Sequence, residues 1–237
     1  MSKLFTIEYY KYFYDKVLTK ERTEKEINFL VKYLNLNKKD KILDLACGFW
    51  RHTEILLKRW YNVFWIDYSK NFIDYITSKS NFKEKYFLWD LREKLKINNI
   101  SKAFLLHTSF WYFSDKENEK IVKNISEVLI SWWKILIDLN NPNNKNLFIS
   151  WKSILKKDDD YIIDEKIVNG NTLDFTRIIK KQKEIFSEKY KLKIYSLQEL
   201  KKLFLKYNLI LFKKYWNFNW EKFLKDSKRM ILIFEKK

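Results

Sequence analysis

The sequence predicts a doubly wound α/β fold: a mostly parallel, seven-stranded sheet with an antiparallel β insertion after its fifth strand. Three observations predict it. The stretch Lys41–Ser69 reads strand, tight turn, helix, strand, with Asp67 closing the second strand. Apolar strand-length runs then alternate with amphipathic helical runs as far as Asp138, the pattern of parallel strands joined through helices. From Asn146 to Ile194 the alternation stops. Four strand-like runs follow one another there, two of them joined by Asn169-Gly170-Asn171, a hairpin turn.

Each element follows from its residues. Leu4–Tyr14 is aromatic-rich and amphipathic and is expected to be helical. Glu24–Leu34 sets Ile27, Leu30, Val31 and Leu34 at helical spacing, with Thr23 and Glu26 as a capping box. The first strand is Lys41–Leu45, the turn Ala46–Trp50, the helix His52–Arg59 and the second strand Val63–Ile66. Ser69 caps a helix over Lys70–Lys79. The third strand is Lys85–Leu88, the fourth Ala103–Thr108, and a helix over Asn118–Ile130 leads through Trp132-Trp133 to the fifth, Lys134–Asp138. The insertion strands are Leu147–Ser150, Tyr161–Val168, Thr172–Ile179 and Ile185–Ile194. Ser196 and Glu199 form a capping box for a helix with Leu200, Leu203 and Phe204 on its apolar face. Leu209–Lys214 and Arg229–Glu235 complete the sheet as an antiparallel pair at its edge.

At 237 residues the chain is expected to be one domain. Residues 1–40 form a helical cover, 41–145 the cofactor-binding core, 146–194 the insertion and 195–237 a helix with the last strand pair. The single cysteine, Cys47, excludes an internal disulfide framework and fits a reducing cytoplasm. Two histidines and one cysteine are too few for a zinc site, so no metal is expected. No apolar run reaches membrane-span length, and the opening residues lack a signal-peptide pattern; a cytoplasmic protein with no membrane partner is expected. The net charge of +18 leaves RNA or DNA binding as an alternative. Against it, the charge is nearly all lysine, spread along the chain, and arginine, the better phosphate and guanine reader, is scarce. Abundant Lys, Asn, Ile, Phe and Tyr together look like the codon bias of an AT-rich genome.

A parallel strand pair wound through one helix, with a tight turn after the first strand, is a nucleotide-cofactor site. Backbone N–H groups at the turn suit a polar ligand, and a carboxylate at the end of the second strand is placed to accept ribose hydroxyls. Leu43-Asp44-Leu45-Ala46-Cys47-Gly48-Phe49-Trp50-Arg51 resembles the first motif of the class I S-adenosylmethionine (SAM)-dependent methyltransferases, hydrophobic-LD-x-A/G-C-G-x-G-R, except at Trp50. The resemblance covers almost the whole chain and is to small bacterial-type members with a Rossmann-like fold. It implies SAM as cofactor and a methyl acceptor that is a small molecule, with an RNA methyltransferase as the alternative. Asp44, Ala46, Gly48 and Trp50 would hold the methionine moiety; Asp67 and Tyr68 the ribose side; Asp90 and Leu91 the adenine. Arg51 either pairs with an acidic group near the cofactor or is an exposed helix residue. Two candidates for a base on the acceptor side are His107, at the end of the fourth strand, and Tyr112 just beyond it.

The family pattern runs CGxGRH, RGY, V-x-G-hydrophobic-D, GDLRE, TSFGYF, GGK, YG-x-F-x-G and S-x-R-M. Every segment is present with tryptophan in place of glycine, at Trp50, Trp60, Trp65, Trp89, Trp111, Trp132, Trp133, Trp216 and Trp220. The chain has 2 glycines and 10 tryptophans, whereas an average protein is about 7% glycine. Turns that need positive φ take glycine and resist indole. The expectation is a gene whose UGA codons mean glycine, read here with a table in which UGA means tryptophan.

Overall fold

The computed structural model describes residues 6–14, 17–79 and 85–237. The elements in chain order are α1 (Ile7–Tyr14), α2 (Lys20–Tyr33), β1 (Lys41–Leu45), α3 (Arg51–Lys58), β2 (Asn62–Asp67), α4 (Lys70–Lys79), β3 (Tyr86–Leu88), β4 (Ile100–Leu105), α5 (Asp115–Val128), β5 (Leu129–Asn140), β6 (Trp151–Lys157), β7 (Asp160–Asn169), β8 (Thr172–Lys181), β9 (Glu184–Lys193), α6 (Leu197–Leu205), β10 (Leu209–Tyr215) and β11 (Arg229–Lys236). Leu4 and Phe5 of the expected first helix lie outside the described residues. Among the described residues no helix is long and apolar enough to cross a membrane.

The seven-stranded sheet has the order β10-β11-β5-β4-β1-β2-β3. The pairs from β5 to β3 are parallel, and β11 is antiparallel to both β5 and β10. The chain winds outward from β1 to β3, then returns to place β4 on the other side of β1. That reversal between β1 and β4 is a switch point, where ligands bind outside the carboxyl ends of the strands.

Strand alternation divides the core between two faces. Leu43 and Leu45 of β1 pack on the face covered by α5 and α6, with Ile121, Ile125, Leu200 and Phe204. Ile42 of β1 packs on the opposite face, with Ile27 and Leu30 of α2 and Leu56 of α3. β4 sits between β1 and β5 and is buried along its whole length. Each such aliphatic side chain contributes roughly 1.5–3 kcal/mol on full burial.

The insertion is a separate four-stranded antiparallel sheet, order β6-β7-β8-β9. Gly170, at φ 57°, and Asn171 make the two-residue β7–β8 turn, the left-handed geometry that matches strand twist. Leu173 and Leu192 join the main core from this sheet, while Ile162 and Ile179 pack against Phe13 of α1. Lys157 Nζ donates to the Tyr12 carbonyl at 2.9 Å, and Ile7 N–H donates to Asn71 Oδ1 at 2.8 Å. Helix α1 therefore bridges the insertion and α4.

Several boundaries differ from the expectation, each for a local reason. The cap of α2 is Thr19, whose Oγ1 accepts from Arg22 N–H at 3.2 Å; Thr23 and Glu26 are buried inside the helix. Helix α5 starts earlier, at Asp115, because Ser114 and Glu117 form a capping box. Strand β4 stops at Leu105, since His107 and Thr108 both take positive φ. Trp132 and Trp133 lie inside β5, at a register shift against β4, which is a β-bulge. The run expected as a strand at Leu147–Ser150 is partly a 3₁₀ turn, Lys145–Phe148, capped by the Asn144 side chain. Asparagine side chains there satisfy the backbone locally and compete with strand pairing.

Candidate functional site

At the carboxyl ends of β1 and β2 the chain builds a turn between two carboxylates. Ala46 (φ 53°), Gly48 (φ 57°) and Trp50 (φ 61°) are all left-handed. Cys47 N–H donates to the Ile66 carbonyl at 3.0 Å, tying the turn to β2. Asp67 Oδ2 accepts from Gly48 N–H at 2.8 Å, and its Oδ1 accepts from Ser69 N–H at 2.8 Å. Burial raises the Asp67 pKa, opposed by these backbone donors. Asp44 is buried beneath the turn, and its Oδ2 accepts from Thr53 Oγ1 of α3 at 2.7 Å. Burial raises the Asp44 carboxyl to about 8, although Thr53 works in the other direction.

On the β3 side, Trp89 N–H continues the pairing to the Asp67 carbonyl at 3.0 Å. Asp90 follows, with its carboxylate held by Arg92: Nη2 to Oδ2 is 2.6 Å. Arg92 Nη1 reaches Glu117 Oε1 of α5 at 2.6 Å. Hydrogen bonds from Arg92 lower the Asp90 pKa. Leu91 is buried, and its carbonyl accepts from Asn124 Nδ2 at 2.9 Å. Tyr68 is half exposed, and burial of its hydroxyl region pushes it up to about 12.

Arg51, the first residue of α3, is not an exposed helix residue. Its guanidinium donates to Glu26 Oε2 at 2.5 Å and Thr23 Oγ1 at 2.8 Å, and it contacts His107 Nε2. His52 Nε2 stands 2.8 Å from Glu26 Oε2, and its ring stacks on His107 at 5.7 Å. Burial, then the nearby Arg51 charge, lowers the His52 pKa to about 3, so the ring is neutral. Burial alone would raise Glu26, but hydrogen bonds from His107 and His52 outweigh it and hold the carboxyl well below its usual range. Glu26, His52 and His107 bring donor atoms within 4.8 Å of one another. Neither Glu26 nor His52 was a candidate from the sequence. The available signal was a glutamate three residues after a threonine, which reads as a cap and is instead a buried mid-helix acid.

Beyond the end of β4, Tyr112 ends a 3₁₀ turn, Ser109–Tyr112, and stacks on Tyr190 of β9 at 5.7 Å. Tyr190 stacks on Phe175 of β8 at 5.0 Å. Tyr10 of α1 touches Tyr14 at 5.4 Å and Phe49 of the β1 turn at 5.6 Å. Arg177 of β8 lies beside Tyr14 and is paired in two-pronged fashion with Asp164 of β7, at 2.6 and 2.7 Å. Burial raises the pKa of Tyr112 far above its ordinary value. Aromatic side chains from α1, from the turn after β4 and from the insertion therefore gather near the β1 turn.

The ten tryptophans fall into physically distinct places. Trp50, Trp60, Trp132 and Trp220 have φ between 61° and 70°, outliers for a bulky residue. Trp60 occupies the position after α3: its N–H donates to the Leu57 carbonyl at 2.9 Å, and Tyr61 N–H to the Leu56 carbonyl at 3.0 Å. That arrangement ends helices with glycine. Trp65, Trp89 and Trp111 bury their Nε1 atoms without a hydrogen-bond partner. The Trp50 indole packs on Trp65, with ring centroids 6.1 Å apart, toward Ile73 and Ile76 of α4.

No protein-family model and no curated protein sequence matches the chain. Solved structures do. A SAM-dependent methyltransferase from Clostridium acetobutylicum superposes with a TM-score of 0.79 at 16% identity, covering 97% of this chain and 96% of that one. The CcbJ methyltransferase from Streptomyces caelestis gives 0.80 at 15% identity, covering 96% of each chain. The sugar N-methyltransferase KedS8 from Streptoalloteichus gives 0.77 at 11% identity, over 100% of this chain and 95% of that one. The chain has the fold of these methyltransferases along its full length.

Proposed function

We propose that the chain is a SAM-dependent methyltransferase acting on a small polar acceptor. The observation that carries the reading is the pair of carboxylates, Asp44 and Asp67, flanking a left-handed turn at the switch point of the sheet. The fit to the cofactor is divided. The carboxylates and turn N–H groups suit its ammonium and ribose ends, and Asp90 with Leu91 is the candidate for the adenine. Trp50 takes a left-handed φ in the turn itself and bulky indoles stand at 65 and 89 beside it, where the motif would have glycine. SAM supplies an activated methyl group, so the protein's share is alignment and exclusion of water. Asp44 and Asp67 hold the cofactor ends, and α1 with the insertion encloses the acceptor. Tyr112 and His107 stand at the acceptor side as the candidate residues; His107 serves as a base once its Nε2 is released from Arg51.

A small acceptor is favoured because Tyr112 stacks on Tyr190 of the insertion, Tyr190 stacks on Phe175, and Tyr10 of α1 packs on Phe49 of the turn, so aromatic side chains from four elements gather there. KedS8 is a sugar N-methyltransferase, and a hydroxylated amine would suit a wall of tyrosines. The rival reading, an RNA methyltransferase or a basic RNA- or DNA-binding protein, has the net charge of +18 in its favour. It predicts binding to RNA or DNA that falls steeply with salt.

The same reading takes the native residue at most or all ten tryptophan positions to be glycine. The four left-handed tryptophans and the three with unpartnered Nε1 atoms support it. The codons test it directly: UGA throughout is expected, and UGG at positions 50, 65 and 111 would overturn it. Calorimetry with SAM on the chain carrying glycine at all ten positions tests the activity class. Binding below millimolar is expected, and none at millimolar SAM would end the methyltransferase reading.

A further inference from the structure

The carboxyl end of β4 carries two consecutive left-handed residues, His107 (φ 55°) and Thr108 (φ 64°). Thr108 is β-branched, for which positive φ is a true outlier. Such strain persists only where the surroundings over-determine it, and here they do so through one ion pair, a partly exposed arginine on a fully buried carboxylate. The β4–β5 ladder stops at Leu105 opposite Ile137. The next residue of β5, Asp138, is fully buried. Its Oδ2 accepts from the His107 N–H at 3.0 Å, and its carbonyl accepts from the Thr108 N–H at 2.8 Å. Its Oδ1 accepts from Arg229 Nε of β11 at 2.6 Å. Arg229 also donates through Nη1 to Asn140 Oδ1 at 3.0 Å and through Nη2 to Thr108 Oγ1 at 3.3 Å.

We propose that Asp138 and Arg229 are a positioning pair for the turn after β4, and that they aim both His107 and Tyr112 at the acceptor side of the cleft. The carboxylate takes the N–H that loses its ladder partner when the chain leaves the sheet, so no buried donor is orphaned. Arg229 fixes the carboxylate and grips the Thr108 side chain with the rest of its fork. Thr108 in turn starts the 3₁₀ turn that ends in Tyr112: its carbonyl accepts from Trp111 N–H at 3.0 Å. From the other side, Glu26 and Arg51 engage the His107 imidazole. Glu26 and Arg229 border the same cavity, of about 370 Å³. What the turn is aimed at rests on the methyl-transfer reading; the grip on the turn does not. Arg229 is also the arginine of the S-x-R-M segment, for which the cofactor site has no use.

The test is amide hydrogen exchange on the full chain carrying glycine at all ten tryptophan positions, as parent, and on its Arg229→Gln, Asp138→Asn and Arg229→Lys variants, without cofactor, beside calorimetry with SAM. Arg229→Gln and Asp138→Asn are expected to speed exchange at residues 107–112 about tenfold or more. Amides of β1 and β2 should change less than about twofold, and SAM affinity should stay near the parent's. Arg229→Lys keeps the charge without the fork, should fold where Gln does not, and should give a smaller acceleration confined to the same residues. Unchanged exchange at 107–112, or acceleration spread evenly over the sheet, would overturn the proposal. A parent chain that fails to bind SAM would remove the methyl-transfer reading, and the exchange result would still decide the grip.

Discussion

Two strand ends flank the switch point, and each holds a left-handed turn with a carboxylate from the neighbouring strand. After β1, Asp67 of β2 accepts the Gly48 N–H at 2.8 Å. After β4, Asp138 of β5 accepts the His107 N–H at 3.0 Å. The geometry is alike and the electrostatics are not. Asp138 is ion-paired with Arg229, so its charge is spent inside the protein. Asp67 is held by neutral backbone donors, and burial raises its pKa. A carboxylate kept under that tension gains by turning toward a polar ligand; a carboxylate already paired with arginine does not. One motif thus leaves a carboxylate without a charged partner at the first strand end and an ion-paired one at the second, among the described residues.

The largest test concerns the residues that take the left-handed turns. Replacing Trp50, Trp60, Trp132 and Trp220 together by glycine is expected to raise stability by about 4 kcal/mol or more, at roughly 1–3 kcal/mol per relieved residue. Urea unfolding measures it, and a loss of stability would mean that the indoles are native packing. Next comes the support beneath the second turn. Glu26→Ala leaves Arg51 buried without its carboxylate and should cost about 3–5 kcal/mol, read by the same unfolding curves.

Matched substitutions at Asp138 and Asp67 separate the two carboxylates. Asp138→Asn should cost about 1.5–3 kcal/mol of stability and leave SAM affinity nearly intact. Asp67→Asn should change stability by less than about 1 kcal/mol yet weaken SAM binding at least about tenfold. Equal effects of the two on both quantities would erase the distinction.

The smallest effect is a slope with pH. Asp44 has a raised pKa, about 8, so its stabilising share is fully present below the unfolded carboxylate value near 4 and is lost as pH rises toward 8. The slope is at most about 1.4 kcal/mol per pH unit. His52, lowered to about 3, acts with the opposite sign: its share is present above about 6.5 and lost as pH falls. Asp44→Asn should remove the first slope and leave the second, in unfolding curves taken from pH 5 to 8. A ligand ammonium beside Asp44 would also drive out its proton, so SAM binding at pH 7 should release protons, seen as a dependence of the binding heat on buffer ionisation enthalpy.

The β1-turn end of the candidate site was legible because it is local. Asp44, Gly48 and Asp67 lie within one strand-turn-helix-strand unit, where spacing along the chain sets spacing in space. The aromatic end was not. Tyr190 and Arg177 come from the insertion, and Tyr10 from the first helix; their meeting with Tyr112 depends on how three elements pack. His107 was legible as a residue near a strand end, but Glu26, Arg51 and His52 around it come from two helices on one face of the sheet.

The order of strands and helices, the two carboxylates of the turn and the imbalance of ten tryptophans against two glycines can all be read from the chain alone, since they are written in composition, periodicity and short spacing. Only the tertiary structure decided which charges are paired and which remain available. Asp67 and Asp138 are both acids at strand ends in the sequence, and nothing local separates them. Arg229 reaches Asp138 across a strand pairing that joins residues far apart in the chain, and among the described residues no arginine is paired with Asp67.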